Sequence, residues 1–378
     1  MTPSSAPLVK ATERLVSLDA FRGFTMALMV LVNNAGSGRD SYMQLRHSEW
    51  NGWTITDTVF PSFLWIVGVA ITLSLGKRLD QGSPRSKLLA QVCRRSSILF
   101  ALGLAVYAFP HFSLATQRIL GVLQRIAICY LVASTIFLFT RLRGQICWLA
   151  GLLVAYWLLM TLVPVPGYGS GRLDVEGNFA HYVDQMVLGS HNYRHTKTWD
   201  PEGIVSTIPS IATALLGVMA GHLLRLRRSL ADRLKRLFLA GVVLLAAGWI
   251  CALWMPINKK LWTDSFCLFM AGLDFLVYAG FAWLIDGLGW RKPVKPLVIL
   301  GMNAITIYMV SEFAAEILDA IRWTTAGGPV SLQRYLYHSL FSPLGSPPNA
   351  SLLYSLAFTG AMFLVAYAMY RRGWFLRV

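Results

Sequence analysis

Charged residues are scarce in this sequence: they make up 14% of its 378 residues, against about 25% in a typical soluble domain. Hydrophobic residues make up 55%, and apolar runs of about 20 residues, long enough to cross a bilayer, recur from one end to the other. This composition excludes a surface that faces water throughout, and no stretch is polar enough for a separate soluble domain. We therefore predict an all-α polytopic membrane protein that forms one domain over residues 1–378.

Two further features are absent from the sequence, a signal-peptide cleavage site and paired cysteines, and each absence narrows the class of membrane protein. No small-residue cleavage site follows the first apolar run, which begins near Ser17, so we interpret this run as a retained helix. The cysteines form no CxxC pair, and all of them fall inside or at the edge of apolar runs. This pattern argues against disulfides and against a thiolate metal site, and we expect no metal. The five cysteines are Cys93, Cys129, Cys147, Cys251 and Cys267.

Hydropathy predicts about ten spans, and the loops between them differ in basic charge. One set of alternate loops, together with both chain ends, holds 22 Lys and Arg residues, whereas the other set holds ten. The positive-inside rule assigns the first set, and hence both termini, to the cytoplasm. The net charge of +16 is then a topology signal that also favours contact with anionic membrane lipid, and we predict no binding of nucleic acid. The predicted spans are 17–36, 57–76, 95–110, 119–139, 146–163, 204–224, 237–254, 263–285, 297–320 and 352–370.

The longest of the loops predicted on the outer side are 37–56, 164–203 and 322–351, and shorter outer loops hold His111 and Lys259. Six of the seven histidines fall on this side, with carboxylates and aromatic side chains such as Trp50 and Trp199 interleaved. Carboxylates accept hydrogen bonds from sugar hydroxyls, and aromatic rings stack on the apolar face of a sugar. An interfacial aromatic belt with solvated charges would give the same composition, and both interpretations stay open.

Ionisable and amide side chains within the predicted spans cost a few kcal/mol in hydrocarbon, and they usually line a cavity or have a partner. Arg22 and Arg125 would bind phosphate oxygens well if they faced inward from the cytoplasmic side, with pairing to a nearby aspartate as the competing interpretation. Asn33 and Asn34 lie near the outer end of the first span. At that position an amide side chain either donates a hydrogen bond to a substrate carbonyl or bonds a neighbouring backbone group at the end of the helix. Asn303 is a further amide within a predicted span.

His47 and Asp57 bracket a polar, tryptophan-rich stretch between the first two spans, "HSEWNGWTITD". A neutral imidazole accepts a proton near neutral pH, and a carboxylate can hold its tautomer. A solvated loop histidine is the ordinary alternative, and spacing alone does not decide between the two.

Six stretches of the sequence resemble the heparan-α-glucosaminide N-acetyltransferase family and its bacterial transmembrane homologues. They run in order through nearly the whole chain and are specific when taken together, whereas "LDAFRG" alone also opens a broader set of membrane acyltransferases. The stretches are "SLDAFRGFTMALMVLVNNAG", "RHSEWNGWTITDTVFPSFLWIVGVA", "GVLQRIAICYLVAS", "WDPEGIVSTIPSIATALLGVMAGHLL", "PINKKLWTDSFCLFMAGLDF" and "LGMNAITIYMVSE".

The resemblance implies a homodimeric enzyme of the bacterial inner membrane. Such an enzyme takes acetyl-CoA from the cytoplasm and acetylates the amine of a glucosamine-type sugar on the periplasmic side. His47 matches the histidine of the family's H-x-x-W-N-G stretch, which is catalytic there. Asn33 matches the asparagine of its V-N pair and Asp57 the acid before V-F-P, so we predict catalytic roles for all three. The candidate contacts for acetyl-CoA are Arg22, Asn34, Arg125 and Asn303.

Several alternatives remain open for the acceptor sugar and for the class of reaction. The loop between Asn33 and His47 is longer here than in the family, and the animal members carry a luminal domain and a further span ahead of the first stretch. Free glucosamine, a glucosamine-ended oligosaccharide and a de-N-acetylated cell-wall sugar all fit as acceptors. A membrane O-acyltransferase of cell-surface glycans is one rival, although that class often places a histidine near the end of the first span, where this chain has asparagines. A transporter of organic anions or sugars is the other rival.

Overall fold

The computed structural model describes residues 15–110, 112–325 and 328–375. In these ranges, nine helices are long and apolar enough to cross a membrane, and a bent pair, α10 with α11, would make a tenth. The predicted all-α bundle is confirmed, with one two-stranded hairpin as the exception within the described part of the chain. The elements are α1 (Val16–Asn33), α2 (Ile55–Asp80), α3 (Arg85–Ala108), α4 (Val122–Phe139), α5 (Leu142–Leu162), α6 (Phe179–Leu188), α7 (Thr207–Leu224), α8 (Leu230–Cys251), α9 (Asp264–Ala282), α10 (Lys295–Met302), α11 (Ala304–Ala320), β1 (Arg322–Thr325), β2 (Gly328–Ser331), α12 (Leu332–Leu336) and α13 (Pro347–Arg371).

Several helices begin at a side chain that satisfies their first turn. Asn178 before α6, Ser229 before α8 and Thr263 before α9 each accept a hydrogen bond from the backbone N–H three residues later. Such N-caps satisfy donors that have no partner inside the helix. These polar residues therefore mark the points at which the chain leaves a loop and enters the bundle.

Helices α2 and α7 form the centre of the bundle. In each, 78% of the apolar window is buried, whereas the corresponding share is 17% in α5 and in α8, which leaves most of their surface for lipid. Glycines allow the two central backbones to meet. A Cβ atom at Gly68 would lie 1.9 Å from the carbonyl oxygen of Ala214, and one at Gly217 would lie 2.0 Å from that of Trp65. A larger residue at either position would force the two helices apart.

The predicted span 297–320 is not continuous, which corrects the sequence-based boundary. The chain bends by 80° between α10 and α11, at Asn303, whose ψ of 32° departs from helix geometry. Helix α10 lies against the start of α1, since a Cβ atom at Gly301 would lie 2.0 Å from the carbonyl oxygen of Asp19. The Asn303 side chain donates to the carbonyl oxygen of Trp374, 3.1 Å away, which ties this bend to the chain beyond α13.

One end of the bundle collects the long polar loops, and we call it the His47 end. The Trp50 indole N–H donates to the carbonyl oxygen of Leu173 over 3.0 Å, so the loop after α1 contacts the loop that holds α6. The Gly52 N–H donates to the carbonyl oxygen of Ile257 over 2.7 Å, so the loop before α9 also lies at this end. The start of α1 and the end of α13 lie at the opposite end. Which end faces the cytoplasm stays a prediction.

Candidate active site

The centre of the site is a hydrogen-bonded pair, His47 and Asp57. Asp57 lies in the first turn of α2, where its carboxylate Oδ2 accepts the Thr54 N–H over 3.0 Å, as in a capping box. The Ser48 N–H donates to the same oxygen over 3.0 Å. The other oxygen, Oδ1, lies 2.7 Å from His47 Nδ1. The helix start therefore fixes the carboxylate, and the carboxylate fixes the imidazole.

The two members of the pair differ in exposure, which determines their roles. The Asp57 side chain is 1% exposed, whereas that of His47 is 49% exposed. A carboxylate only accepts hydrogen bonds, so Nδ1 donates to it and carries the proton. Nε2 is then the unprotonated nitrogen, with a lone pair for a proton from an incoming group. The predicted pairing of these two residues agrees with this geometry.

Lys259 is a third member of this cluster, and it was not among the site residues predicted from the sequence. Its Nζ lies 3.0 Å from His47 Nδ1, 3.4 Å from Nε2 and 3.7 Å from Asp57 Oδ1. Partial burial and, next in size, the charge of Lys259 lower the pKa of His47, and they outweigh Asp57, which raises it. Burial likewise lowers the pKa of Lys259. An imidazole in this setting is neutral at pH 7.

Asn33 and Asn34 lie at the His47 end but have different partners. The Asn33 amide donates to Glu312 Oε1 on α11 at 3.5 Å, and the Asn34 amide donates to the carbonyl oxygen of Val30 over 2.8 Å. No hydrogen bond joins either asparagine to His47 in the part of the chain that the structure describes. Asn34 thus satisfies its own helix end, and the predicted substrate contacts of both residues stay predictions.

Next to this cluster lies a buried group of charges around Arg118. Its Nε donates to Asp200 Oδ2 over 2.7 Å, its Nη2 bonds both Asp200 and Glu202, and its guanidinium lies over the rings of Tyr107 and Tyr193. Burial raises the pKa of Asp200. Burial also opposes ionisation of Glu202, but the positive charges of Arg118 and its neighbours, Lys259 included, outweigh it and lower the pKa of Glu202. Glu202 in turn raises the pKa of His47, so the two groups interact.

Arg125 is not at the end of the bundle where its predicted role requires it. It lies in the first turn of α4, and its Nη2 donates to the Gly203 carbonyl oxygen over 3.1 Å and to the Ser206 hydroxyl. Its guanidinium lies over the Trp262 ring, 5.2 Å from the centroid. Arg125 therefore lies at the His47 end and not at the end that holds Arg22, because α4 runs away from the His47 end, and its contact with acetyl-CoA stays a prediction.

Arg22 and Asn303 lie at the opposite end, as the phosphate-binding prediction requires. Arg22 Nη1 lies 3.2 Å from Asp19 Oδ1, one turn earlier in α1, which agrees with the pairing proposed from the sequence. Asn303 is at the bend before α11, with its amide on the carbonyl oxygen of Trp374. Whether either residue contacts acetyl-CoA stays a prediction.

Metal-binding side chains do not form a cluster within residues 15–110, 112–325 and 328–375. No group of three or more His, Cys, Asp or Glu residues that could hold a metal ion occurs there.

Comparison with known proteins links this chain to one family. The family model described as "Heparan-alpha-glucosaminide N-acetyltransferase, catalytic" matches residues 14–248. The mouse protein named heparan-alpha-glucosaminide N-acetyltransferase is 29% identical over 97% of this chain and 61% of its own length. The human protein of the same name is 30% identical over 82% of this chain and 54% of its own length. The chain thus spans somewhat more than half the length of the curated relatives it matches.

Proposed function

The chain belongs to the heparan-alpha-glucosaminide N-acetyltransferase family, and on this premise we propose that it transfers the acetyl group of acetyl-CoA to the amine of a glucosamine-type sugar. The observation that carries the proposal is the His47–Asp57 pair: a half-exposed imidazole held at 2.7 Å by a buried carboxylate. A pair of this kind supplies general-base catalysis, which contributes about 10²–10⁴-fold to a rate. The range that the family model matches, residues 14–248, includes both positions.

The proposed reaction is direct transfer. The sugar nitrogen attacks the thioester carbonyl carbon, its proton passes to His47 Nε2, and the carbon–sulfur bond breaks to release the CoA thiolate. Asp57 keeps Nδ1 protonated, so Nε2 carries the lone pair that this step needs. An acetylated histidine would instead require Nε2 to act as the nucleophile. Isolation of a stable acetyl group on His47 after incubation without acceptor would contradict direct transfer.

Asn33 is the proposed donor to the negative oxygen that develops on the thioester carbonyl. An amide N–H held near a reacting carbonyl supplies such a donor, and Asn33 lies at the same end of the bundle with its amide on Glu312. Unchanged turnover in the Asn33→Ala variant would remove this role.

The proposal also has a sidedness. The loops rich in Lys and Arg lie at the end opposite His47, so the positive-inside rule puts the His47 end in the periplasm of a bacterial inner membrane, with both termini in the cytoplasm. Arg22 and Asn303 then lie where the nucleotide of acetyl-CoA would enter, and Asn34 and Arg125 lie where its acetyl end would arrive. Homodimer formation rests on the family resemblance alone.

The central test uses purified protein, labelled acetyl-CoA and glucosamine. We expect the wild type to form acetylated amino sugar and His47→Ala to lose at least about 10²-fold in rate. His195→Ala is the matched control, because His195 is an exposed histidine of the same end whose ring contacts Tyr193. Equal background formation by all three proteins would reject the proposal.

A transporter of organic anions is the second candidate, and the broken helix favours it. Discontinuous helices often form the substrate sites of transporters, and α10 and α11 meet at an 80° bend. Uptake of labelled glucosamine or acetyl-CoA into proteoliposomes without acetyl transfer would support this candidate. The same vesicles, with acetyl-CoA on one face and glucosamine on the other, test the proposed sidedness.

A further inference from the structure

Lys259 occupies a defined position beside the imidazole of His47. Its Nζ lies within 3.4 Å of both ring nitrogens and 3.7 Å from Asp57 Oδ1, and its side chain is 15% exposed. A lysine in a loop ordinarily extends its charge into water. Here the ammonium lies against a titratable ring whose other partner is a carboxylate.

The backbone around Lys259 is held in place by the His47 loop itself. The Asn258 amide donates to Asn51 Oδ1 over 3.2 Å, and its own Oδ1 accepts the Leu261 N–H over 3.0 Å. The Gly52 N–H donates to the carbonyl oxygen of Ile257 over 2.7 Å. The segment before α9 and the segment between His47 and Asp57 are thus joined as one unit, so the distance between Lys259 and His47 is not set by a free loop.

The next residue, Lys260, provides a natural contrast. Its Nζ donates to the carbonyl oxygen of Glu49 and lies 5.7 Å from the centroid of the Trp50 ring. It has the same charge as Lys259 and belongs to the same loop, but it contacts the backbone of the site rather than the imidazole.

We propose that Lys259 is a positioning residue that acts with Asp57 to keep the His47 imidazole neutral, oriented and able to accept the acceptor's proton. This inference rests on the proposed function, in which His47 is the base. Asp57 by itself would orient the ring but would also favour its charged form, which has no lone pair to accept a proton. A cation next to the ring favours the neutral form. With both neighbours present, Asp57 orients the imidazole and Lys259 keeps it uncharged.

The charged groups in this balance come from three elements. Asp57 approaches from α2, Lys259 from the loop before α9, and Glu202 from the loop before α7. Glu202 is itself paired with Arg118, which reduces its effect on the imidazole. When the amine N–H bond breaks and the Nε2–H bond forms, the imidazolium lies next to the Lys259 ammonium. Repulsion between the two cations then favours release of the proton to water, and the base returns to its starting state.

The test measures the protonation of His47 without the need for turnover. Diethyl pyrocarbonate reacts with the neutral form of histidine, so the rate of His47 modification against pH, followed by mass spectrometry of its peptide, gives the titration midpoint. We expect the wild-type midpoint to lie below 6.5, the ordinary value for histidine. We expect Lys259→Met and Lys259→Gln to move it upward, and Lys259→Arg and Lys260→Met to leave it near the wild-type value. Modification of His195 in the same samples serves as the internal reference.

An unchanged midpoint in Lys259→Gln, in protein that keeps the wild-type melting temperature, would overturn the inference. If Lys259→Met fails to fold, Lys259→Gln and Lys259→Arg still decide the matter, because both retain a hydrogen-bonding group and only one retains the charge. If the wild type and the variants show the predicted midpoints but the wild type does not acetylate glucosamine, the inference about Lys259 stands and the proposed function is rejected. Where acetylation is observed, the acid limb of kcat/KM is expected to move upward in parallel in Lys259→Gln.

Discussion

Replacement of Asp57 with asparagine tests the site sharply, because the two carboxylate oxygens have different partners. Oδ2 accepts the N–H of Ser48 at 3.0 Å, the N–H of Thr54 at 3.0 Å and the Thr54 hydroxyl at 3.1 Å. Oδ1 accepts from His47 Nδ1 at 2.7 Å. An asparagine has one oxygen and one NH₂ group, so it can satisfy only one of these two sets.

The expected orientation of the new amide follows from the number of donors on each side. An NH₂ group at the Oδ2 position would face the part-buried N–H of Ser48 and the buried N–H of Thr54. A buried N–H that is left unpaired costs about 1–3 kcal/mol. The amide oxygen therefore takes that position, and the NH₂ group faces His47. Nδ1 must then accept rather than donate, which moves the ring proton to Nε2 and removes the lone pair from the side where the acceptor amine arrives.

The size of the effect follows from the lost base. General-base catalysis contributes about 10²–10⁴-fold, so kcat/KM of Asp57→Asn is expected to fall by that factor, which is about 3–5 kcal/mol of transition-state stabilisation. Folding is expected to change little, because the bonds to Ser48 and Thr54 survive. In contrast, Asp57→Ala loses those bonds as well, and its melting temperature is expected to fall.

The assay measures initial rates with labelled acetyl-CoA and glucosamine in detergent, with melting temperatures recorded on the same preparations. Asp57→Ala is the control for structural damage. If Asp57→Asn retains kcat/KM within fivefold of the wild type at an unchanged melting temperature, Asp57 does not determine the tautomer of His47, and the argument from the two oxygens is wrong.

Three further predictions concern stability. The His181 imidazole stacks on Trp199 at 4.2 Å between centroids, and burial lowers its pKa to about 4. Because the folded state favours the neutral ring, this contribution to stability is complete above about pH 6.5 and is lost as the pH falls towards 4. The melting temperature should therefore fall over that interval, and it should fall less in His181→Phe. Arg118→Met leaves two buried carboxylates without their cation, which should lower the free energy of unfolding by about 3–5 kcal/mol and so produce a large drop in melting temperature. An unchanged melting temperature would show that Arg118 is not needed for stability. Gly217→Ala should reduce the yield of folded protein, because its Cβ atom would lie 2.0 Å from the Trp65 carbonyl oxygen, whereas Gly360→Ala, at a position with no atom within 4 Å of the new Cβ, should not.

The bundle itself was predictable because hydropathy is a local property. Each of the ten predicted apolar segments corresponds to a helix, or to the bent pair, in the structure. The boundaries were less accurate where a helix continues into polar sequence: α3 begins at Arg85, whereas the predicted span begins at residue 95. The bend at Asn303 was missed for a different reason. The residues on both sides are apolar, so the hydropathy of the segment does not change where the backbone turns.

The site was predictable only in part, since its members are far apart in the sequence. His47 and Asp57 are ten residues apart and belong to one recognisable stretch, but Lys259 is 212 residues from His47. In the sequence it was one of two adjacent basic residues in a predicted outer loop. For Arg125, two expectations from the sequence disagree. The predicted topology puts the start of its span at the outer end, whereas binding of the acetyl-CoA phosphates requires the opposite end.

The arrangement of charges at the His47 end explains how an apolar bundle can hold a reactive imidazole. Neighbouring charges in one series at this end have opposite signs, and the series passes from α2 through four loops that the bundle brings together. Because neighbouring buried charges interact strongly at low dielectric, removing one of them should change the titration of the others. A change at Arg118, which does not contact His47, is therefore expected to reach the imidazole through Glu202, whose ionisation depends on the positive charge of Arg118. The series consists of Asp57, His47, Lys259, Glu202, Arg118 and Asp200.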